Sequence, residues 1–378
     1  MKNVLFLSSW YPSRVHSTLG NFVRYHALAA SKYNSVNVLY IVADDKVSDY
    51  EIEHFKDKEL NTTIVYFKRG VFKYLNYFIA FLKGFKFLKN KKSLKFDIVH
   101  MNIMHPGIWQ ALYLKWRYKI PYIVSENWHG FQDLNKYNLS YLELKIIQLG
   151  FRFSSAISPV SQQLENCMIK ANYKANYQII PNVVDTNKFN IVKSKDLNNH
   201  FTFLHVSTLD DSIKNVSGII DAFEKLTHQN ITLKIIGDGP TGWIFDKIKN
   251  LKTTNSIIIE KEKTHDQIAK EMRNADVFVL FSNIENLPLV LIESISSGTP
   301  FIASKVGGIP ELFNNDLGKL VESGNIDQLV QEMNFMIENP FYFDSSKIRS
   351  HALQHYSEKE VGKQFNDLYI EIANNLTN

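Results

Sequence analysis

Glu285 and Glu293 stand eight positions apart in ADVFVLFSNIENLPLVLIESISSGTP, Ala275 to Pro300. One carboxylate of such a pair can accept from the hydroxyls of a sugar and the other from those of a ribose. Asp276 to Phe281 is a short β-rich apolar run, and the polar turn Ser282 to Asn286 follows it. Pro288 then supplies a fixed φ at what reads as helix position N1. Gly298 ends the helix and Pro300 blocks its continuation. The elements that must position the acids are therefore a strand, a loop and a helix. The loop leaves backbone N–H groups, at Asn286, Leu287 and Leu289 around Pro288, at the positive end of the helix, a seat for a phosphate. Glu293 projects from the second turn and Glu285 guards the loop. Either acid alone would read as a solvated residue of an ordinary βα unit; the spacing together with the Pro and the Gly favours a site.

A second cation-bearing loop follows the apolar run FTFLHV (Phe201 to Val206) and reads STLDDSIKNVSGIIDAF. Lys214 lies just before a helix that starts near Asn215, where a cation can neutralise a departing diphosphate. Other stretches with chemistry-bearing or turn residues are LFLSSWYPS with Gly20-Asn21-Phe22, FDIVH (Phe96 to His100), ISPVS (Ile157 to Ser161), IPNVVDTNKF (Ile180 to Phe189), KIIGDGP (Lys234 to Pro240) and VGGIPELF (Val306 to Phe313). Together with the glutamate pair and in this order, the set resembles glycosyltransferase family 4, the retaining nucleotide-sugar transferases of GT-B fold. The resemblance implies two Rossmann-like, doubly wound parallel-sheet domains facing across a cleft. It also implies a metal-independent enzyme that needs no cofactor beyond its donor, with UDP the commonest donor nucleotide.

By that resemblance Glu285 holds the transferred sugar, Glu293 the ribose, and Lys214 the diphosphate. Gly237 and Gly239 turn beneath the diphosphate. The family's usual Arg, about one helical turn before the Lys, is replaced by Thr208, which removes a bidentate phosphate donor. Gly20 could let backbone approach the donor, or be an ordinary turn glycine. SENWHGF (Ser125 to Phe131) lies where relatives place a His touching the donor sugar; Asn127 occupies that position and His129 follows. Both are candidates, and His26, His100 and His105 could line the acceptor side. No His/Asp/Glu set has metal-ligand spacing.

Two other functions remain open on sequence. Gly237, Gly239 and Gly242 satisfy G-x-G-x-x-G after an apolar strand, and Glu260 ends the next strand, as in an NAD-dependent oxidoreductase. Against it, the strand is the second of its domain, Pro240 stiffens the loop, and the glutamate pair has no role. A non-enzymatic two-domain sugar-binding protein would share the cleft but would be expected to carry an export signal, whereas MKNVLFLSSWYP reads as a first strand.

The chain has 378 residues, 45% of them hydrophobic, enough for two cores. The expected division is 1–190, a basic acceptor-binding domain; 191–355, a nucleotide-sugar domain; and 356–378, a helix returning to the first domain by resemblance. Strands are expected at Asn3–Ser8, Ser35–Val42, Thr62–Phe67, Asp97–Met101, Tyr122–Ser125, Ala156–Val160 and Tyr177–Ile180. After a polar linker, Asn187 to Asn199, five further strands follow Phe201–Val206, from Thr232–Ile236 to Lys319–Val321. Regular βα alternation implies parallel sheets covered on both faces. The single Cys167 fits a reducing cytoplasm and excludes an internal disulfide. No stretch approaches a membrane span.

Net charge is +5, but residues 1–190 hold 25 Lys+Arg against 13 Asp+Glu, and the remainder 18 against 25. From Lys68 to Lys95 there are nine basic residues and no acid. On a helix from about Val71 to Asn90, Phe72, Leu75, Ile79 and Leu82 would face the core, with Tyr74, Phe78, Phe81 and Phe85 widening the apolar arc. That helix is either a packed element with a solvated basic face or a surface for anionic membrane at the inner leaflet. The latter suits a glycan or polyprenyl-diphosphate-linked acceptor, as in surface polysaccharide assembly. No RNA-binding motif accompanies the charge, so nucleic acid is not an expected partner.

Overall fold

A computed structural model of the chain describes residues 1–17, 19–70, 72–92, 95–132, 139–191 and 200–375, the side chains of 91 and 92 excepted. Most of the polar stretch expected as a linker, residues 192–199, lies outside the described residues. The chain divides into two compact units: Met1–Val183 with Glu358–Asn378, and Val184–Ser357.

The first unit runs β1 (Asn3–Ser8), α1 (Asn21–Ser31), β2 (Ser35–Ala43), β3 (Tyr50–Asp57), β4 (Leu60–Phe67), α2 (Lys73–Lys92), β5 (Ile98–Asn102) and α3 (Ile108–Tyr118). It continues through β6 (Tyr122–Glu126), a 3-10 turn (His129–Gln132), α4 (Tyr141–Phe153), β7 (Ala156–Pro159) and α5 (Gln162–Lys170). Its seven strands are ordered β3-β4-β2-β1-β5-β6-β7. All pair in parallel except β3, which is antiparallel to β4. The Rossmann-like order reverses between β1 and β5, and ligands of such sheets bind beyond the strand ends at that switch.

The second unit runs β8 (Phe201–Ser207), α6 (Asp211–Lys214), α7 (Val216–Glu224), β9 (Ile231–Gly237), α8 (Gly242–Ile248), β10 (Ser256–Lys261) and α9 (His265–Asn274). There follow β11 (Val277–Leu280), α10 (Leu289–Ser296), β12 (Phe301–Ser304), α11 (Ile309–Leu312), β13 (Gly318–Val321), α12 (Ile326–Glu338) and α13 (Ser345–Tyr356). Its six strands are all parallel, in the order β10-β9-β8-β11-β12-β13, so its switch lies between β8 and β11. The two inner strands are apolar runs buried on both faces: Phe203, Leu204, Phe278 and Val279 are inaccessible or nearly so. The last helix, α14 (Glu358–Asn375), packs on α1 of the first unit, so closely that a Cβ at Gly362 would collide with the Ala29 carbonyl.

Several local expectations change. The unit boundary falls at Val183/Val184 rather than near residue 190, because Phe189 is buried in the second unit and its carbonyl takes hydrogen bonds from Ser296 and Arg349. Tyr177 makes one isolated bridge to Ile157 instead of opening a strand. Strand β3 was unforeseen because its sequence YEIEHFKD is half-exposed and charged, as an edge strand can be. Helix α2 turns the other way from expectation: Phe81, Phe85 and Leu88 are buried while Phe72 and Leu75 face solvent. Gly84 favours this, because a Cβ there would press on the Leu39 and Val65 side chains where the helix meets the sheet.

Candidate functional site

Four loops beyond the strand ends of the second unit converge on the switch between β8 and β11. The first begins at Thr208, which is exposed, and turns through Leu209, buried with φ 59. Its anchor is His205, whose Nδ1–H donates to the Val279 carbonyl at 2.8 Å while Nε2 accepts from Ser207 Oγ at 2.8 Å. Ser207 Oγ in turn accepts from the Leu209 N–H at 3.1 Å. Burial lowers the His205 pKa to about 4, keeping the ring neutral and this relay intact. The loop first forms the single turn α6, and the helix expected near Asn215 follows as α7. Asn215 sits in the left-handed region between the two and caps α7, accepting from the Gly218 N–H at 3.2 Å. Lys214 thus ends a helical turn, with its side chain mostly buried.

Glu285 lies on the second loop, after β11. Its Oε1 accepts from Lys214 Nζ at 2.6 Å and from Ser282 Oγ at 2.8 Å. The loop is held to α6 by the Asn283 N–H donating to the Ile213 carbonyl at 2.8 Å. Behind it, Gly307 adopts φ +55 and lies so close that a Cβ would overlap the Glu285 carbonyl; the neighbouring Gly308 N–H donates to the Asn286 carbonyl at 2.7 Å. Gly237 and Gly239 press from the other side, against the Ser207 and Thr208 carbonyls respectively. Gly237, Gly239, Thr208, Lys214 and Glu285 therefore come together, and the glycines are required first by chain packing.

Helix α10 follows. Pro288 is its N-cap and not its first helical residue, and Leu289 and Val290 begin the helix with N–H groups outside the intrahelical ladder. Asn286 and Leu287 are buried beneath this start. At the other end Gly298 takes φ +71, and Arg349 donates to the carbonyls of Ser296, Phe189 and Thr186 at 2.6 to 2.9 Å, countering the negative helix end. Glu293, in the second turn, is 2% exposed, and among the described residues its Oε1 has no hydrogen-bond partner. Burial raises its pKa to about 8, a shift that the charge of Lys188 opposes. His265 Nε2 lies 3.9 Å from the same oxygen.

The third glycine of the apparent dinucleotide fingerprint fails its test. A Cβ on Gly242 would meet nothing within 4 Å, whereas that position exists to let helix and strand approach closely. Glu260 is engaged by Lys263 at 2.6 Å and Lys234 at 3.2 Å.

In the first unit, Gly20 caps α1 with φ +77, and a Cβ would clash with the Trp10 carbonyl and the Tyr11 nitrogen. The loop after β5 crosses the loop after β1: Ser9 Oγ donates to the Ile103 carbonyl at 2.9 Å and accepts from the Gly107 N–H at 3.0 Å. His129 is exposed on the 3-10 turn, and Asn127 Nδ2 donates to Asn182 Oδ1 at 3.0 Å. His26 and His100 are fully buried; His100 bridges Tyr369 OH at 2.6 Å and Ser125 Oγ at 2.7 Å, so it joins α14 to the sheet and lines nothing. His105 is half-buried and stacks on Trp128.

Family models divide the chain between them. The model described as Glycosyl transferases group 1 matches residues 162–359, just over half of the chain, and that described as Glycosyltransferase Family 4 matches residues 26–188. The chain belongs to glycosyltransferase family 4. This glycosyltransferase is 23% identical over 318 residues to the N-acetyl-alpha-D-glucosaminyl L-malate synthase of Bacillus anthracis, covering 80% of the chain and 81% of that protein. Its fold is GT-B. Sucrose-phosphate synthase from Thermosynechococcus elongatus superimposes with TM-score 0.77 at 17% identity, over 98% of this chain and 99% of that one. Anabaena HepE in complex with UDP-glucose gives 0.72 at 19% identity, over all of both chains. The oxidoreductase and the non-enzymatic binding protein are thereby set aside.

Sequence reasoning passed over four residues at the glycosyltransferase's two strand edges. Lys188 and His265 flank Glu293, and Ser282 shares Glu285. Glu126 is the fourth. It is fully buried, and its carboxylate accepts from the N–H groups of Met104, Asn127 and Trp128 at 2.8 to 2.9 Å. An acid closing the apolar strand YIVSE was the available signal. Burial still raises its pKa to about 7.

Proposed function

We propose that this glycosyltransferase moves a hexose or N-acetylhexosamine from a UDP-linked donor to a hydroxyl of a glycan or polyprenyl-diphosphate-linked acceptor in surface polysaccharide assembly, with retention and without a metal. The observation that carries the reading is the Lys214–Glu285 pair beside the α10 start, with the unpartnered oxygen of Glu293 one turn further on. A diphosphate would draw Lys214 Nζ toward itself and be held also by the N–H groups of Asn286, Leu287 and Leu289; Pro288 has none to give. Glu285, released from Lys214, then accepts from hydroxyls of the transferred sugar. Glu293 Oε1 is a buried acceptor with no donor among the described residues, which suits ribose hydroxyls. Gly237 and Gly239 shape the floor under the diphosphate, and Thr208 leaves Lys214 with more of its charge to neutralise. Gly20, Asn127 and His129 are the candidates of the first unit for sugar or acceptor contact.

Retention follows from attack on the face the leaving group departs from. The acceptor oxygen bonds to the anomeric carbon as the bond to the phosphate oxygen breaks, and that phosphate oxygen takes the acceptor proton. The oxocarbenium-like transition state needs charge stabilisation, which Lys214 and the helix start supply without a metal ion. Turnover unchanged by a chelator is the expected result. A mass-spectrometric screen of nucleotide-sugars for slow donor hydrolysis tests the donor class, and capture of NADH with no response to any UDP-sugar would sink it. A lipid-linked acceptor would also place the enzyme at the inner membrane face, where residues 68–95 would meet anionic lipid; among the described residues no helix is long and apolar enough to cross a membrane.

A further inference from the structure

Most of the aromatic arc of α2 is spent inside the protein. Phe81 and Phe85 are buried, Phe78 packs edge-on against Tyr113, and Tyr77 OH receives a hydrogen bond from Gln110 at 2.9 Å. What remains outside is concentrated at the first turn: Phe72 is 70% exposed, Tyr74 75% and Leu75 54%. Lys68, Arg69 and Lys73 adjoin these three residues in sequence and are themselves exposed, Lys73 Nζ lying 5.0 Å from the centre of the Tyr74 ring, and no acidic residue occurs between Lys68 and Lys95. Large exposed apolar side chains within one helical turn beside three cations differ from the singly scattered ones of any surface.

A second such point exists on the same edge. Tyr141 is 76% exposed and Leu142 67% at the start of α4, with Lys145 over the Tyr141 ring. Glu143, the acid in the first turn of α4, is drawn back into a capping box with Ser140. Helices α2 and α4 follow β4 and β6, which run in the same direction, so both helix starts lie beyond the C-terminal strand ends. Helix α3 lies between them, touching α2 through Trp109 and Tyr113 and packing on α4. Two interhelical spacings put the points roughly 20 Å apart.

We propose that the start of α2, steadied by the start of α4, docks end-on onto an anionic lipid surface. The helix does not lie flat on the membrane, because the arc that would be needed is already packed on the sheet. The apolar tip enters the interface and Lys68, Arg69 and Lys73 meet lipid phosphates. This goes beyond the general membrane contact proposed above and is independent of the acceptor's identity, since docking needs no substrate.

Flotation of the full chain, with no donor or acceptor present, on phosphatidylcholine vesicles with and without about 30% phosphatidylglycerol tests it directly. Anionic vesicles should carry the protein and neutral ones should not. The triple variant Phe72→Ser, Tyr74→Ser, Leu75→Ser should lower partition at least about 10-fold with a melting temperature that changes little, since these side chains are more than half exposed. Replacing Lys83, Lys86 and Lys89 by Glu, further along the helix, should have the smaller effect. Vesicle binding that ignores lipid charge, that survives the triple variant, or that is lost chiefly with the three lysines would overturn the proposal. So would a dimer in sedimentation that the triple variant dissociates while no vesicle binds, since a second copy would then be what covers the tip. Failure of the transfer assay with a lipid-linked acceptor would leave flotation untouched.

Discussion

Glu126 and Glu293 are both buried carboxylates at strand-end edges, one in each unit, and their surroundings are opposite. Glu126 receives three backbone N–H groups and so ties the loop after β5 to the loop after β6. Glu293 sits on a helix with one oxygen unanswered, His265 too far for a hydrogen bond, and Lys188 acting only through its charge. Burying a carboxylate is costly unless it is hydrogen-bonded. The cost at Glu126 is offset in part by the chain's own three N–H groups, which fix its position on folding. At Glu293 it is left for something else to meet, and an acceptor without donors is what a polyhydroxylated ligand fits. Two acids of similar burial thus separate by their partners, Glu126 positioning two loops and Glu293 fitting the binding role proposed for it.

The largest effect should come from Glu285, the group proposed to meet the reacting sugar. Glu285→Ala should reduce transfer at least about 10²-fold, the scale of a lost transition-state contact; near-normal turnover would mean the sugar is held elsewhere. Gly307→Ala should follow, because a methyl there overlaps the Glu285 carbonyl and the backbone is left-handed. We expect a loss of about 1–3 kcal/mol in urea unfolding together with reduced turnover; an unaltered enzyme would show the loop is not braced from behind.

Glu293→Gln sharpens the comparison most. It should weaken UDP binding by about 10-fold in calorimetry, because the amide cannot lose a proton to become the charged acceptor that bound ribose hydroxyls favour. The same variant carries a pH signature. With its pKa raised from 4.5 to about 8, folded Glu293 keeps a proton that the unfolded chain releases, so wild-type stability falls as pH rises through that window. Melting curves from pH 5 to 8 should show wild type losing up to about 1.4 kcal/mol per pH unit relative to the variant. Parallel curves would mean the carboxyl is satisfied in solution. The smallest functional effect is expected from Glu126→Gln. Its amide cannot accept at both ends, so at least one N–H loses its partner at about 1–3 kcal/mol of stability, while UDP affinity is unchanged. A variant that weakened UDP instead would erase the distinction between the two acids.

Much of the second unit was legible from sequence because its signals are local. An apolar run, a polar turn, Pro288 and Gly298 determine a strand, a loop and a helix within about one βα unit, and eight-residue spacing places Glu285 in the loop and Glu293 on the helix whatever the rest of the chain does. Family motifs extend that reading along the whole chain. Contacts between segments distant in sequence carry no such local mark. That Lys214 reaches Glu285, that Gly307 braces the same loop, that Glu126 closes on Met104, and that α2 buries Phe81 but exposes Phe72 depend on which surfaces meet once the sheets form. Periodicity can say that a helix has an apolar face wider than its core needs; only packing decides which part of that face is left over.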